Sequence, residues 1–209
     1  MSGLTRGHRY AVSLLALLLV LGLVANAASV RATPIGEPSS DTPKDGGTWT
    51  IGIGEEPDTL DPHKTGSARA NIILRHICDG LIAEDFEGNY VPGLAKSWTI
   101  SPDGLNWTFE LRDDVTFQDG TPFNAAAVKF SFDRILDPAT ASAAASSLLG
   151  PMTSTSADSD YTFSFTLSEP FAPLLDNLAN GGLLCVVSPD AVAKEGADFG
   201  RKPIATGPY

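Results

Sequence analysis

Hydrophobic positions follow two rhythms along this chain. Trp49, Ile51 and Ile53 alternate with small or polar residues, which predicts a strand over 48–54 with one apolar face. Ile72, Ile73, His76, Ile77, Gly80 and Leu81 recur at helical spacing and predict a helix over 67–83. A turn follows at 85–89. Alternation returns at Leu105, Trp107, Phe109 and Leu111, behind a turn at Pro102, Asp103 and Gly104. Tyr161, Phe163, Phe165 and Leu167 alternate in the same way, and Glu169-Pro170 ends that strand. Residues 171–179 read as a short helix, with Asn180, Gly181 and Gly182 able to supply a left-handed cap. The apolar run 183–187 predicts a buried strand. Ser188 then caps a last helix and Pro189 starts it. Only 139–157, rich in Ala, Ser and Thr, lacks a rhythm and reads as helix or loop. Interleaved strands and helices give a mixed α/β fold class.

The strongest local signal runs from Phe117 to Arg134. Val115 to Phe117 reads as the end of a strand. Asp119-Gly120 forms a turn, because Gly reaches positive φ without steric cost. Pro122 keeps Thr121 extended. Asn124 can accept a bond from an orphan helical N–H, and Ala125 to Ala127 favour helix. Val128, Phe132, Ile135 and Leu136 then share one face, with Ser131 in the same stripe. Asp137-Pro138 stops the helix. Nothing in this stretch has the arrangement of a catalytic group.

The 209 residues are 43% hydrophobic, enough for one sizeable core. The net charge of -11 argues against nucleic acid and anionic membranes as partners. Arg6, His8 and Arg9 precede an apolar run from Ala11 to Val24, followed by Ala25-Asn26-Ala27. This is the layout of a secretory signal over residues 1–27, with a signal anchor as the alternative. A second possible cleavage site ends at Ala32. No cysteine follows the apolar run, so no lipid-attachment site is visible. Residues 28–46, rich in Ser, Thr, Pro and Asp, read as a flexible linker. Cys78 and Cys185 are either two buried small hydrophobes or, after export, one disulfide; spacing alone leaves both open.

Phe117, Asp119, Gly120, Pro122, Phe123, Asn124, Ala125, Val128, Phe130, Ser131 and Arg134 resemble the signature of the family 5 solute-binding proteins of ABC importers, the peptide- and nickel-binding group. Ala127 departs from the acidic residue usual in that pattern. The segment from Val91 to Trp98, and the order from Ser97 through Arg112 into Phe117, match the same family. So do Glu56-Pro57 with Leu60-Asp61-Pro62, and Pro203 to Tyr209, where Ala205 replaces a glycine. If that position needs positive φ, Ala205 introduces strain. The resemblance covers 47–209 as the N-terminal part of the family domain. It implies a periplasmic-binding-protein-like lobe, incomplete and without its second lobe. That is roughly the first third to half of a bilobal member, so the chain is expected to be a fragment or truncated product lacking one wall of the cleft.

In that family the loop after the opening strand lies at the mouth of the ligand cleft. Glu55, Glu56 and Pro57 are therefore the candidate ligand-binding residues, against the alternative of a solvated acidic turn. The motif residues Phe117 to Arg134 are assigned a structural role. Other constellations carry less. Lys64-Thr65-Gly66 stands without the Ser-x-x-Lys box of penicillin-recognising enzymes. His63 and His76 lack metal-ligand spacing and read as loop or helix-surface histidines. Asp113-Asp114 and Glu55-Glu56 are adjacent, hence divergent, and read as solvated pairs. No catalytic residue, metal site or cofactor is expected. The resemblance implies an extracytoplasmic receptor, monomeric and periplasmic, that hands peptide to the membrane subunits of an ABC importer. Nickel or another small solute is the alternative within the family, and a secreted α/β hydrolase the alternative outside it.

Overall fold

The computed structural model describes residues 46–209 except Trp49 and Asn180. Every helix and strand among them falls within the unit Ile51–Tyr209. The predicted signal and nearly all of the predicted linker lie outside the described residues. Helix α1 spans Ala68–Ile77, with Ser67 accepting from the backbone N–H groups of Arg69 and Ala70. Strands β1 (Ile82–Glu84) and β2 (Tyr90–Pro92) form an antiparallel hairpin around the expected turn, where Gly88 takes φ +85°. Strands β3 (Ala95–Ile100), β4 (Asn106–Leu111), β5 (Met152–Ala157) and β6 (Thr162–Leu167) build one antiparallel sheet in the order β3-β4-β6-β5. Helix α2 (Ala125–Leu136) packs on β5 and β6, and α3 (Ala145–Leu148) follows it. Helices α4 (Leu174–Ala179) and α5 (Pro189–Glu195) complete the unit, with a 3-10 turn over Gly196–Arg201.

The main core lies between α2 and the four-stranded sheet. Trp107, Phe109 and Leu111 of β4 and Phe163, Phe165 and Leu167 of β6 are buried, as their alternation predicts. Phe132 of α2 meets Phe163 edge-on, with ring centroids 5.1 Å apart, a favoured aromatic geometry. A second, smaller core gathers Leu74 of α1 and Cys78 just past its end with Cys185, Val187, Phe199 and Ala205. Leu183 and Ile204 pack against both. In this second core Cys78 and Cys185 form a disulfide across 107 positions, with Cα atoms 5.4 Å apart.

The α2 stretch folds as its sequence predicts. Asn124 accepts from the Ala127 N–H at 3.0 Å, and Gly120 sits at φ +84°. Ser131 explains its place in an apolar stripe. Its hydroxyl donates to the Ala127 carbonyl at 2.9 Å and accepts the buried Val187 N–H at 3.1 Å. Asp137 ends the helix. Ala205 has no positive φ, so the expected strain there is absent.

Five expectations need correction. Residues 51–53 form no strand: no partner strand pairs with them among the described residues, and Ile51 and Ile53 are exposed. Helix α1 stops at Ile77 rather than continuing to 83, and Ile82 already belongs to β1. Its buried residues are Ala70 and Leu74, whereas Ile72 faces outward. Residues 115–117 give only an isolated bridge, Thr116 with Pro122. Residues 184–187 are buried as expected but are not a strand. Their polar groups are met singly: the Val187 N–H by Ser131, the Cys185 carbonyl by His63, and the neighbouring Ser188 N–H by the Ile204 carbonyl. Finally, the region without rhythm holds β5, a Ser/Thr-rich edge strand that shows no apolar alternation. Asn180 of the expected cap lies outside the described residues, and Gly181 and Gly182 do not take positive φ.

Candidate functional site

The acidic loop 55–62 is exposed at its start and locked at its end. Glu55 and Glu56 are exposed and Pro57 is half-buried. Glu55 pairs with Arg69 on the first turn of α1 at 3.1 Å, an exposed contact of small energetic weight. Further along, the Thr65 hydroxyl donates to Asp58 at 2.6 Å and holds that carboxyl below its usual range. The Leu60 N–H donates to the Gly200 carbonyl at 3.0 Å.

The anchor is a buried polar cluster. Arg134, near the end of α2, donates to the two carboxylate oxygens of Asp61 at 2.9 and 2.6 Å. The same guanidinium reaches Nδ1 of His63 at 2.8 Å. Arginine only donates, so Nδ1 must accept and the imidazole proton sits on Nε2. That proton is donated to the Cys185 carbonyl at 2.8 Å. Burial pushes the His63 pKa down to about 4, and the facing Arg134 charge adds to this. Burial pushes Asp61 upward, but the bonds and charge of Arg134 outweigh it and hold the carboxyl below its usual range. Arg134 also lies over the Phe199 ring, 5.7 Å from its centroid. This cluster ties the acidic loop, α2 and the disulfide-bearing segment together. His63 is a loop histidine, as read from the sequence, but a fully buried one with a structural role, and His76 is exposed on the surface of α1.

A groove of about 640 Å³ is lined mainly by apolar side chains, among them Ile51, Ile53 and Ile72, with His76, Gln118 and Arg201 as its polar members. Gln118, next to the motif turn, fixes one wall. Its side-chain amide donates to the carbonyls of Ile77 at 3.1 Å and Gly207 at 2.9 Å, while its side-chain oxygen accepts from the Ala205 N–H at 2.9 Å. Gly207 must be glycine here: a Cβ would lie 2.5 Å from the Ile77 carbonyl oxygen. The neighbouring Asp119 serves the fold. It accepts from the hydroxyls of Ser188 and Thr121, each at 2.6 Å; burial raises its pKa, but these bonds outweigh that and lower it. Phe117 and Phe123 meet edge-on in the core beside it.

Glu55 lies two positions after the groove residue Ile53 and pairs with Arg69 of α1, but Glu55, Glu56 and Pro57 do not themselves line the groove. Glu56 makes no ion pair among the described residues. Asp61 and His63 were not singled out from sequence as partners of Arg134. The available signal was an acid and a histidine flanking Pro62, but their arginine lies seventy-one and more positions away. Among the described residues no cluster of His, Cys, Asp and Glu could hold a metal ion, and no helix is long and apolar enough to cross a membrane.

Residues 89–209 match the family model described as bacterial extracellular solute-binding proteins, family 5. The chain is 36% identical over 159 residues to the glutathione-binding protein GsiB of Escherichia coli K12, covering 76% of this chain and 31% of that protein. Among solved structures, OppA of Burkholderia pseudomallei superposes with a TM-score of 0.68 at 27% identity, over 75% of this chain and 34% of that one. DppA of Helicobacter pylori, solved in complex with the peptide STSA, superposes with a TM-score of 0.64 at 31% identity, over 73% of this chain and 34% of that one. OppA of Haemophilus influenzae, solved in complex with the peptide RPPGFSPFR, gives 0.64 at 30% identity, over 70% and 32%. The mixed α/β body is thus part of a periplasmic-binding-protein lobe. The chain spans about a third of the length of the curated relatives it matches.

Proposed function

The chain belongs to family 5 of the bacterial extracellular solute-binding proteins, and from that membership we propose that it acts as an extracytoplasmic receptor delivering peptide to the membrane subunits of an ABC importer. The observation that carries this reading is the likeness, over most of the chain, to OppA and DppA solved with bound peptides and to a glutathione-binding relative. Glutathione is itself a short peptide, which favours small peptides over nickel as cargo. The protein performs no chemistry on its ligand. It reaches the periplasm through the secretory signal at 1–27, remains monomeric and binds no nucleic acid.

Peptide lies extended, its backbone pairing with protein strands, so that sequence is read loosely. Glu55, Glu56 and Pro57 stand at the cleft mouth. The buried Arg134–Asp61–His63 cluster supports them by fixing the end of their loop. Ligand-driven closure of a second lobe over this one signals loading to the importer.

Thermal unfolding of the exported chain in the presence of glutathione, an unmodified tripeptide or nickel tests this. The reading expects the peptides to raise the midpoint in a concentration-dependent way. A rise with nickel alone would replace it by the metal-receptor alternative, and no rise with any of them would remove this chain as a peptide binder in its own right.

A further inference from the structure

One residue is tied to both ends of α1. Cys185 is bonded through its sulfur to Cys78, which caps the C-terminal end of the helix. Through its carbonyl the same residue accepts the Nε2–H of His63 at 2.8 Å. His63 opens a strap of short bonds that runs to the other end. Lys64 and Thr65 donate their N–H groups to the Asp61 carbonyl, each at 3.1 Å. The Ser67 N–H donates to the Thr65 hydroxyl at 3.0 Å, and Ser67 caps the N-terminal end of the helix. His63, Thr65 and Cys185 are fully buried, so water does not stand in for a lost bond without local opening. The two sulfur-bearing residues are not equally accessible. Cys78 is 6% exposed and lines an open cleft of about 480 Å³, whereas Cys185 is 0% exposed and does not line it. Disulfide exchange proceeds by thiolate attack, and access decides which sulfur is met. The cleft also holds Asp79, Glu84 and Asp176 against Arg75, a balance that favours an uncharged thiol over an anionic one.

We propose that Cys78 is a thiol-exchange site and that the Cys78–Cys185 bond is a redox latch on the buried His63, whose opening loosens the Cys185 carbonyl, breaks the His63 bond and frees the strap leading into α1. The incoming thiolate of a dithiol bonds to the Cys78 sulfur. The S–S bond breaks, and its electron pair leaves on Cys185, which takes up a proton. The second thiol, as thiolate, then bonds to the first sulfur of the dithiol and expels Cys78, which is protonated in turn. The dithiol loses two electrons and becomes a disulfide; the protein gains two thiols. The change stays local, because the Arg134–Asp61 pair and the Ser131 bond to the Val187 N–H do not pass through the sulfurs. The strap continues the loop that carries Glu55, Glu56 and Pro57, but the latch rests on geometry and not on the peptide reading.

NMR of the full 209-residue chain, oxidised and then treated with dithiothreitol, tests this. In the oxidised protein the His63 ring N–H should exchange slowly with water. After reduction it should exchange about tenfold faster or more, while the amides of β4 keep their rates. The double variant Cys78→Ala with Cys185→Ala should show the fast ring N–H with and without dithiothreitol. Peptide mapping after brief exposure to 2-mercaptoethanol, followed by alkylation, should find the mixed disulfide on Cys78 and the alkyl group on Cys185. A slow ring N–H after complete reduction would overturn the latch, and so would loss of β4 protection along with it, since the bond would then hold the whole fold. A mixed disulfide on Cys185 would overturn the assigned exchange site. None of these readouts involves solute, so they are separate from any failure of the peptide-import reading.

Discussion

Arg134 grips Asp61 through two guanidinium nitrogens, at 2.9 and 2.6 Å, across 73 positions of sequence. Both side chains are almost withdrawn from water. The pair joins the end of the acidic loop to the last turn of α2, so the placement of the candidate cleft mouth depends on a contact on the far side of its own loop.

Removing one partner leaves the other buried and charged. Arg134→Met should therefore destabilise the protein by about 3–5 kcal/mol. Exchanging both for apolar residues should cost much less, because no charge is then stranded. Urea unfolding of the single and double variants checks this; equal losses in both would deny that the pair is coupled.

His63 gives the fold a pH dependence with a definite sign. Its folded-state pKa is about 4, below the ordinary value of 6.5, so the unfolded chain binds the proton more readily. Stability is fully present above pH 6.5 and declines as pH falls towards 4, by about 3 kcal/mol in all. Asp61, whose carboxyl is held low, adds a further loss only once pH falls below its ordinary value of 3.8. Denaturation midpoints across this range should slope downward with acid, and His63→Gln should flatten the slope between pH 6.5 and 4. An unchanged slope in that variant would assign the effect to other groups.

The Cys78–Cys185 bond closes a loop across 107 positions. In the chain-entropy account such a closure contributes about 5 kcal/mol. The double variant Cys78→Ala with Cys185→Ala should lose a comparable amount, measured against the oxidised protein by guanidinium unfolding. A loss below about 1 kcal/mol would mean that the unfolded chain gains little freedom when the bond is absent.

Two small residues hold the smaller core to its neighbours. Ser131→Ala leaves the buried Val187 N–H without its partner and should cost about 1–3 kcal/mol. Gly207→Ala places a methyl against the Ile77 carbonyl and should cost about 1–3 kcal/mol through forced backbone movement. Thermal midpoints of both variants should fall; an unaltered Gly207→Ala midpoint would show that the approach of these two segments is adjustable.

How much of this was legible in sequence follows from the range of each interaction. Helix α2 was readable because Asn124, the alanines and the Val128–Phe132–Ile135 stripe act within a few residues of one another. Strands β4 and β6 were readable because one face is buried and the other is not. Strand β5 escaped because an edge strand of Ser and Thr carries no such contrast. The run 184–187 was rightly read as buried, yet its backbone groups are answered by Ser131 and His63 rather than by a neighbouring strand. The alternation at 51–53 predicted a strand that does not form, since alternation carries no information about whether a partner strand is present to pair with it. The disulfide and the Arg134–Asp61–His63 cluster depend on proximity between distant segments, which spacing does not reveal. The family signature marked Arg134 without showing what it holds.

Uptake of a radiolabelled tripeptide by cells with and without the gene bears most directly on the receptor reading. Loss of the gene should sharply reduce tripeptide entry, restored by the gene on a plasmid, while nickel entry stays unchanged. Undiminished tripeptide entry together with a fall in nickel entry would contradict peptide import as the function.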